Sequence, residues 1–289
     1  MNVTIPNDTN TGLRDRAAWL GSSIEKTFIG RPHFDLFHPD KLIPANVDLK
    51  FRFIPNKSSW LLKTAAPAGT DRQVAYKIDI LSARMYIHTK QISPSLLVAH
   101  EKMLQKSNYR IPYNKVTTKT ISLANGLSVY EQDNIYMGQL PDLIVVAFVA
   151  DNDMGGGYQR NPFNFQNFGI NYFAIKANGE QIPRVAHQPN FEKGDYIRSY
   201  IAVLEALGYD IGPNCWDLTP EEWANGYNIY AFKVTPGPIG SIHSPSKTGG
   251  IRLEIKFTKA TASNITMILL SQHQAELQID RHKNIISIQ

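Results

Sequence analysis

Several groups of residues in this 289-residue chain have types and spacings that bear on chemistry. Asp151-Asn-Asp-Met-Gly-Gly-Gly157 begins as a calcium loop does. An EF-hand loop needs another oxygen ligand at its fifth position and a closing glutamate, between two helices. Here the fifth position is Gly155 and the loop follows an apolar, strand-like run. Asp151 and Asp153 are therefore weak metal candidates, and a Gly-rich surface loop is the better reading. The stretch from Gly240 to Gly250 holds Lys247-Thr248 but lacks the glycine before the lysine that a phosphate-cradling loop requires, and a strand pattern follows it. Cys215 is the single cysteine. A thiol nucleophile needs a base held beside it, and its neighbours Pro213-Asn214 suggest a loop, so a packed or idle thiol is favoured. The eight histidines show no His-x-His or His-x-x-x-His spacing. There is no Gly-x-Ser-x-Gly elbow. Adjacent Glu221-Glu222 is better explained by helix capping than by paired-carboxylate catalysis. No catalytic set and no cofactor motif emerge, so no enzyme activity and no cofactor are expected.

One aromatic run, Phe163, Phe165, Phe168, Tyr172 and Phe173, could stack bases or a ligand. Aromatics in a β-sandwich more often fill the core or a subunit interface, and that reading is preferred. The run belongs to the most particular segment of the chain, Asn161 to Pro183. Ile170, Tyr172, Ala174 and Lys176 alternate with Asn171, Phe173, Ile175 and Ala177, as a strand requires, and Asn178-Gly179 supplies a tight turn.

The elements that would position these residues are mostly short β segments. Residues 23–29, 33–37, 47–54 and 60–63 read as strand pieces. Residues 64–74 form a small, polar, turn-rich linker. Eight further strand candidates follow: 75–92, 115–123, 128–137, 143–150, 169–182 with its Asn-Gly turn, 227–235, 250–259 and 264–279 with a bend near Ser271 to His273. Residues 143–150 are apolar enough to be buried on both faces. Helical spacing is confined to 95–106 and 199–207, with a short turn at Thr219-Pro-Glu-Glu-Trp carrying a capping box. Strand–helix alternation is missing, which argues against a doubly wound parallel sheet. The fold class is all-β, an eight-stranded jelly-roll sandwich with two short helices in its connections.

Composition agrees. Hydrophobic residues make up 43% and charged residues 19%, a globular profile. The net charge of +5 is scattered, so it predicts weak, non-specific attraction to DNA at most. The first residues have no basic region followed by an apolar run, and no apolar stretch is long enough to cross a bilayer as a helix. The Asn2, Asn7, Asn56 and Asn264 sequons are read as chance matches.

Five motifs then add a resemblance: Phe37-His-Pro-Asp-Lys-Leu-Ile-Pro-Ala-Asn-Val-Asp-Leu-Lys50, Ile92-Ser-Pro-Ser-Leu-Leu-Val-Ala-His100, Gly138-Gln-Leu-Pro141, Asn161-Pro-Phe-Asn-Phe165 and Gln188-Pro-Asn-Phe191. Their order resembles that of the hexon-like major capsid proteins of Polinton/Maverick elements and adintovirus-like viruses. The resemblance implies a double jelly-roll, two eight-stranded sandwiches side by side, with three subunits in a pseudo-hexagonal capsomer. It makes this chain the C-terminal part: a disordered stretch at 1–12, closing strands of an incomplete first roll at 13–63, a linker at 64–74, a complete roll at 75–280 and a tail at 281–289. It implies a structural virion protein inside the host cell, partnered by its own copies, by a penton-type minor capsid protein and by packaged DNA. Asn161, Pro162, Phe163, Asn164, Phe165, Asn178, Gly179, Gln188, Pro189 and Phe191 are expected to serve shape and assembly. The alternatives are a jelly-roll binding module for carbohydrate or nucleic acid, or a domesticated capsid remnant.

Overall fold

Antiparallel pairing accounts for every partnership within the two main sheets of the computed structural model, which describes residues 11–21, 23–35, 42–63, 76–209, 217–235 and 247–288. In chain order the elements are α1 (Thr11–Leu20), α2 (Ser58–Leu61), α3 (Pro94–Leu104), β1 (Tyr109–Leu123), β2 (Val129–Gln139), β3 (Leu143–Ala150) and α4 (Asp151–Met154). There follow β4 (Phe165–Gln166), β5 (Ile170–Ala177), β6 (Glu180–His187), α5 (Ile197–Leu207), α6 (Pro220–Ala224), β7 (Asn225–Gly226), β8 (Ile229–Lys233), β9 (Thr248–Phe257), β10 (Ile265–Ile279) and β11 (Ile285–Ile288).

One sheet runs β1-β10-β3-β8, with β11 beside the end of β10; the other runs β2-β9-β5-β6. Numbered among themselves, the eight sandwich strands follow the orders 1-8-3-6 and 2-7-4-5. Each sheet thus interleaves strands from both halves of the chain, which is the jelly-roll connection. A small β4–β7 ladder closes one end.

The core follows from period-two patterning. Along β9, Ile251, Leu253, Ile255 and Phe257 are buried while Arg252, Glu254 and Lys256 face outward. Phe148, Tyr230 and Phe232 of one sheet meet Phe173 of the other edge to face, with centroids 4.8–5.8 Å from Phe173. β3 is buried on both faces, as its unbroken apolar run predicts, and β4 packs against it. The hairpin turn has the expected chemistry: Asn178 (φ 51°) and Gly179 (φ 88°) both adopt positive φ, as a type I′ turn demands. In α6, Thr219 Oγ1 accepts from the Glu222 amide and the Glu222 carboxylate accepts from the Thr219 amide, completing the capping box.

Several expectations are corrected. The sandwich has eight strands, but a different eight. Residues 169–182 divide at the Asn-Gly turn into β5 and β6, whereas 76–93 have no strand pairing among the described residues. Residues 23–35 and 42–57 are also unpaired, and Trp60 lies in the short helix α2. A segment becomes a strand only when a neighbouring strand takes up its amides and carbonyls, and among the described residues no strand pairs with these. α1 begins within the stretch expected to be disordered. At Ser271 to His273, where a bend was expected, the ladder of β10 with β1 is unbroken, through fifteen residue pairs. A register shift between Ile170 and Tyr172 turns Ile170 inward with Phe173 and Ile175, so the strict alternation expected for this strand breaks at its first residue. α5 is not peripheral, since Tyr200, Val203 and Leu204 join the core beside Trp223. Cys215, the Gly240 to Ser246 stretch and most of the first twelve residues lie outside the described residues.

His187 is the least ordinary core residue. It is 2% exposed, lies 5.3 Å from both Tyr230 and Phe232, and among the described residues neither ring nitrogen has a hydrogen-bond partner. Burial, helped by the charge of Arg198, pushes its pKa from 6.5 down to about 4. The folded state therefore holds the neutral ring while the unfolded chain takes up a proton below pH 6.5. Stability from this group is complete above pH 6.5 and is lost as pH falls towards 4, by about 3 kcal/mol in all. Denaturant melts at pH 7 and pH 5 check this: the drop on acidification should shrink in His187→Leu, and an equal drop in both proteins would contradict it. The same assay separates core from periphery. Phe173→Ala should lose about 3–5 kcal/mol. Ile87→Ala, in the unpaired segment, should stay within about 0.5 kcal/mol of the parent.

Candidate assembly surface

The three groups of residues expected to shape an assembly occupy two ends of the second sheet. Asn178-Gly179 is at the β5–β6 tip. Asn161 to Phe165 lead into β5 through β4, and Gln188 to Phe191 leave β6 at the same end, one strand length or about 25 Å from the tip.

At the tip, Asn178 is a tie between strands. Its Nδ2 donates to the Thr248 carbonyl (3.1 Å), and its Oδ1 accepts from the Gly250 amide (3.2 Å). Any side chain at Gly249 would collide with this amide group. Beside it lies an open groove of about 600 Å³ lined by Asp133, Asn134, Lys176, Asn178, Gly250 and Arg252. The charges around it are already paired. Arg252 bridges Glu131 and Asp133, while Glu254 sits between Lys176 (3.4 Å) and Lys256 (3.2 Å). Desolvation works to raise the pKa of Glu254, but the two lysines outweigh it and hold the carboxyl below its usual range. Lys256 also lies 4.9 Å over the Tyr172 ring.

At the other end the side chains are mostly joints within the chain. Asn161 Oδ1 accepts from the Phe163 amide, and Pro162 and Asn164 are buried. Phe165 pairs with Gly226. Pro189 is buried, and Phe191 stacks on Tyr196 (5.7 Å) and packs against Trp223. Because β7 follows α6 directly, the Phe165 and Phe191 groups meet through Trp223 and Gly226. Of the expected assembly residues, Phe163, Asn178, Gly179 and Gln188 are exposed.

The larger surface was missed by motif reading. Residues 76–103 carry Ile80, Leu81, Tyr86, Ile87, Val98 and Met103 at 55–79% exposure, and α3 buries no residue at all. The signal was present in the sequence as strand-like alternation with an amphipathic helix behind it.

Chemical alternatives find little support in the geometry. Among the described residues no group of three or more His, Cys, Asp or Glu could hold a metal. Asp151 accepts from Thr266 (2.7 Å), and Asp153 pairs with Arg160 (3.3 Å). Ser271 Oγ lies 3.2 Å from His273 Nε2, with Asp142 close enough to oppose the downward pKa shift that burial and Lys115 impose on the imidazole. Yet Ser271 is fully buried and bonded to Thr117 Oγ1 (2.7 Å), so no substrate reaches it. No helix among the described residues is long and apolar enough to cross a membrane.

No family model matches the chain. An uncharacterized protein of Caenorhabditis elegans is similar to it, 19% identical over 211 residues that cover 70% of this chain and 48% of that protein. The chain thus spans about half the length of that relative. Among solved structures, a chain of the Sputnik virophage cryo-EM structure overlaps with a TM-score of 0.42 and 14% identity, covering 63% of this chain and 39% of that one. A chain of the PBCV-1 virus capsid gives 0.37 and 9%, with 63% and 52% covered. The mavirus major capsid protein gives 0.33 and 11%, with 62% and 41% covered. Overlaps this partial carry no weight for function, and the jelly-roll assignment rests on the strand order described above.

Proposed function

We propose that this chain is a structural protein of a capsid, the C-terminal roll of a double jelly-roll, and that it works by self-association into trimeric, pseudo-hexagonal capsomers. The observation that carries the proposal is the pairing of a completed roll with a long apolar segment that the roll leaves uncovered. The sandwich from β1 to β10 closes its own core. The preceding residues 76–103 leave Leu81, Tyr86 and Ile87 about 70% exposed or more. Apolar surface of this extent on adjacent residues is what subunit interfaces cover. In this proposal residues 13–63 belong to a first roll and 64–74 link the two. Gln188, Phe163 and the Asn178-Gly179 tip contribute to contacts between copies. A penton-type protein and non-specifically held DNA are the further partners.

A carbohydrate-binding roll is the second reading, favoured by the open polar groove beside Asn178. Its lysine and its arginine already have carboxylate partners, which disfavours a polyanion there. Glycan-array binding lost in Asn178→Ala would select this reading.

Sedimentation velocity at micromolar protein tests the first. The parent chain should run as an oligomer, with a trimer prominent, or precipitate. Leu81→Glu combined with Ile87→Glu should shift it to a soluble monomer that still unfolds cooperatively, with a midpoint no longer dependent on protein concentration. A well-behaved monomer of the parent chain would contradict the proposal.

A further inference from the structure

The Gly-rich loop between α4 and β4 is shaped around another part of the chain. Trp60 of α2 stands edge to face on Phe163, with ring centroids 5.0 Å apart. Also against Trp60 is Gly156, whose φ of +79° suits glycine. A Cβ there would sit 3.0 Å from Trp60 Cδ1 and 3.2 Å from its Cβ, so the bare glycine is what admits the indole. Three residues on, past the end of α2, Lys63 Nζ donates to the Gly157 carbonyl (3.1 Å). Partial desolvation lowers the pKa of that ammonium, and the negative charge of Asp153 opposes the shift. Asp153 is itself held by Arg160. The same loop takes up Tyr76: its amide donates to Tyr158 Oη (3.0 Å), Tyr158 Oη donates back to its carbonyl (3.4 Å), and the rings meet edge to face at 5.2 Å.

We infer that residues 153–163 form a peptide-recognition site whose ligand is an aromatic-x-x-Lys segment, occupied here by Trp60-Leu-Leu-Lys63 of the same chain. Each element of the loop has a task in it. The glycine run admits an indole and presents a carbonyl, Asp153 supplies the negative charge, and Phe163 forms the aromatic wall. This gives a role to a sequence that looks like a calcium loop without its ligands. Phe163 remains 57% exposed, so the pocket is open on one side and its occupant is released without unfolding the sandwich. With Tyr76 held as well, the site pins both residues that flank positions 64–75, and so fixes where the N-terminal part leaves the roll. The inference does not depend on the capsid proposal.

Hydrogen exchange read by mass spectrometry on the full chain tests it. In Trp60→Ala/Lys63→Ala, the amides of 153–163 should exchange several-fold faster while those of β9 keep their protection. Gly156→Val, which leaves the ligand residues intact and closes the socket, should loosen 57–63 in the same way. A synthetic peptide of residues 56–63 at millimolar concentration, comparable to the effective concentration of a tethered segment, should restore slow exchange to the double variant. The same peptide with alanine for tryptophan should not. Unchanged exchange of the loop in the double variant, or equal protection by the two peptides, would overturn the inference.

Discussion

Backbone pairing through β10 is the constraint on which this fold depends. An extended segment carries an amide and a carbonyl at every residue, and in a dry interior each must find a partner. β10 answers this on both sides, with β1 along all fifteen residues and with β3 and then β11 on the other edge. It is the last sandwich strand in the chain and it joins the first and the third, so the roll is complete only when the C-terminal strand is in place. The edge strand β1 shows how the remaining liability is handled. Asn114 turns its amide to the free edge, where Asp35 accepts it at 2.6 Å. Pro112 lies two residues earlier in the same phase, so its missing N–H removes no ladder bond.

Much of this was legible in residue patterns. β3 has the limits its apolar run predicts, β9 alternates inward and outward as written, and the capping box at Thr219 forms as its spacing requires. The Asn178-Gly179 turn was legible too, although its consequence, that one long candidate is two strands, shows only when β5 and β6 are seen paired. What the sequence could not supply was partnership. Residues 76–92 were expected to form a strand as β9 does, yet no strand among the described residues pairs with them. Pattern reports that a segment can be a strand, and pairing decides whether it is one. Buried polar contacts were equally hidden: nothing in sequence separates His187, enclosed by Tyr230 and Phe232, from an exposed histidine.

The candidate assembly residues divide along the same line. Asn164 and Pro189 are buried and Phe191 stacks on Tyr196, so these three pack within the chain. Under the proposed self-association, the surface offered to other copies is the exposed segment before the sandwich, together with α3. Such apolar contact is non-directional. The Gly-rich loop complements that picture by holding both flanks of the 64–75 segment against the roll, so that the N-terminal residues meet their partners from a defined starting point.

Hydrogen exchange of residues 76–103 as a function of protein concentration tests the central claim most directly. If these residues are covered by further copies of the chain, their amides gain protection as concentration rises while β3, β9 and β10 stay protected throughout. Fast exchange of 76–103 that is independent of concentration, beside a protected sandwich, would contradict a self-associating structural subunit.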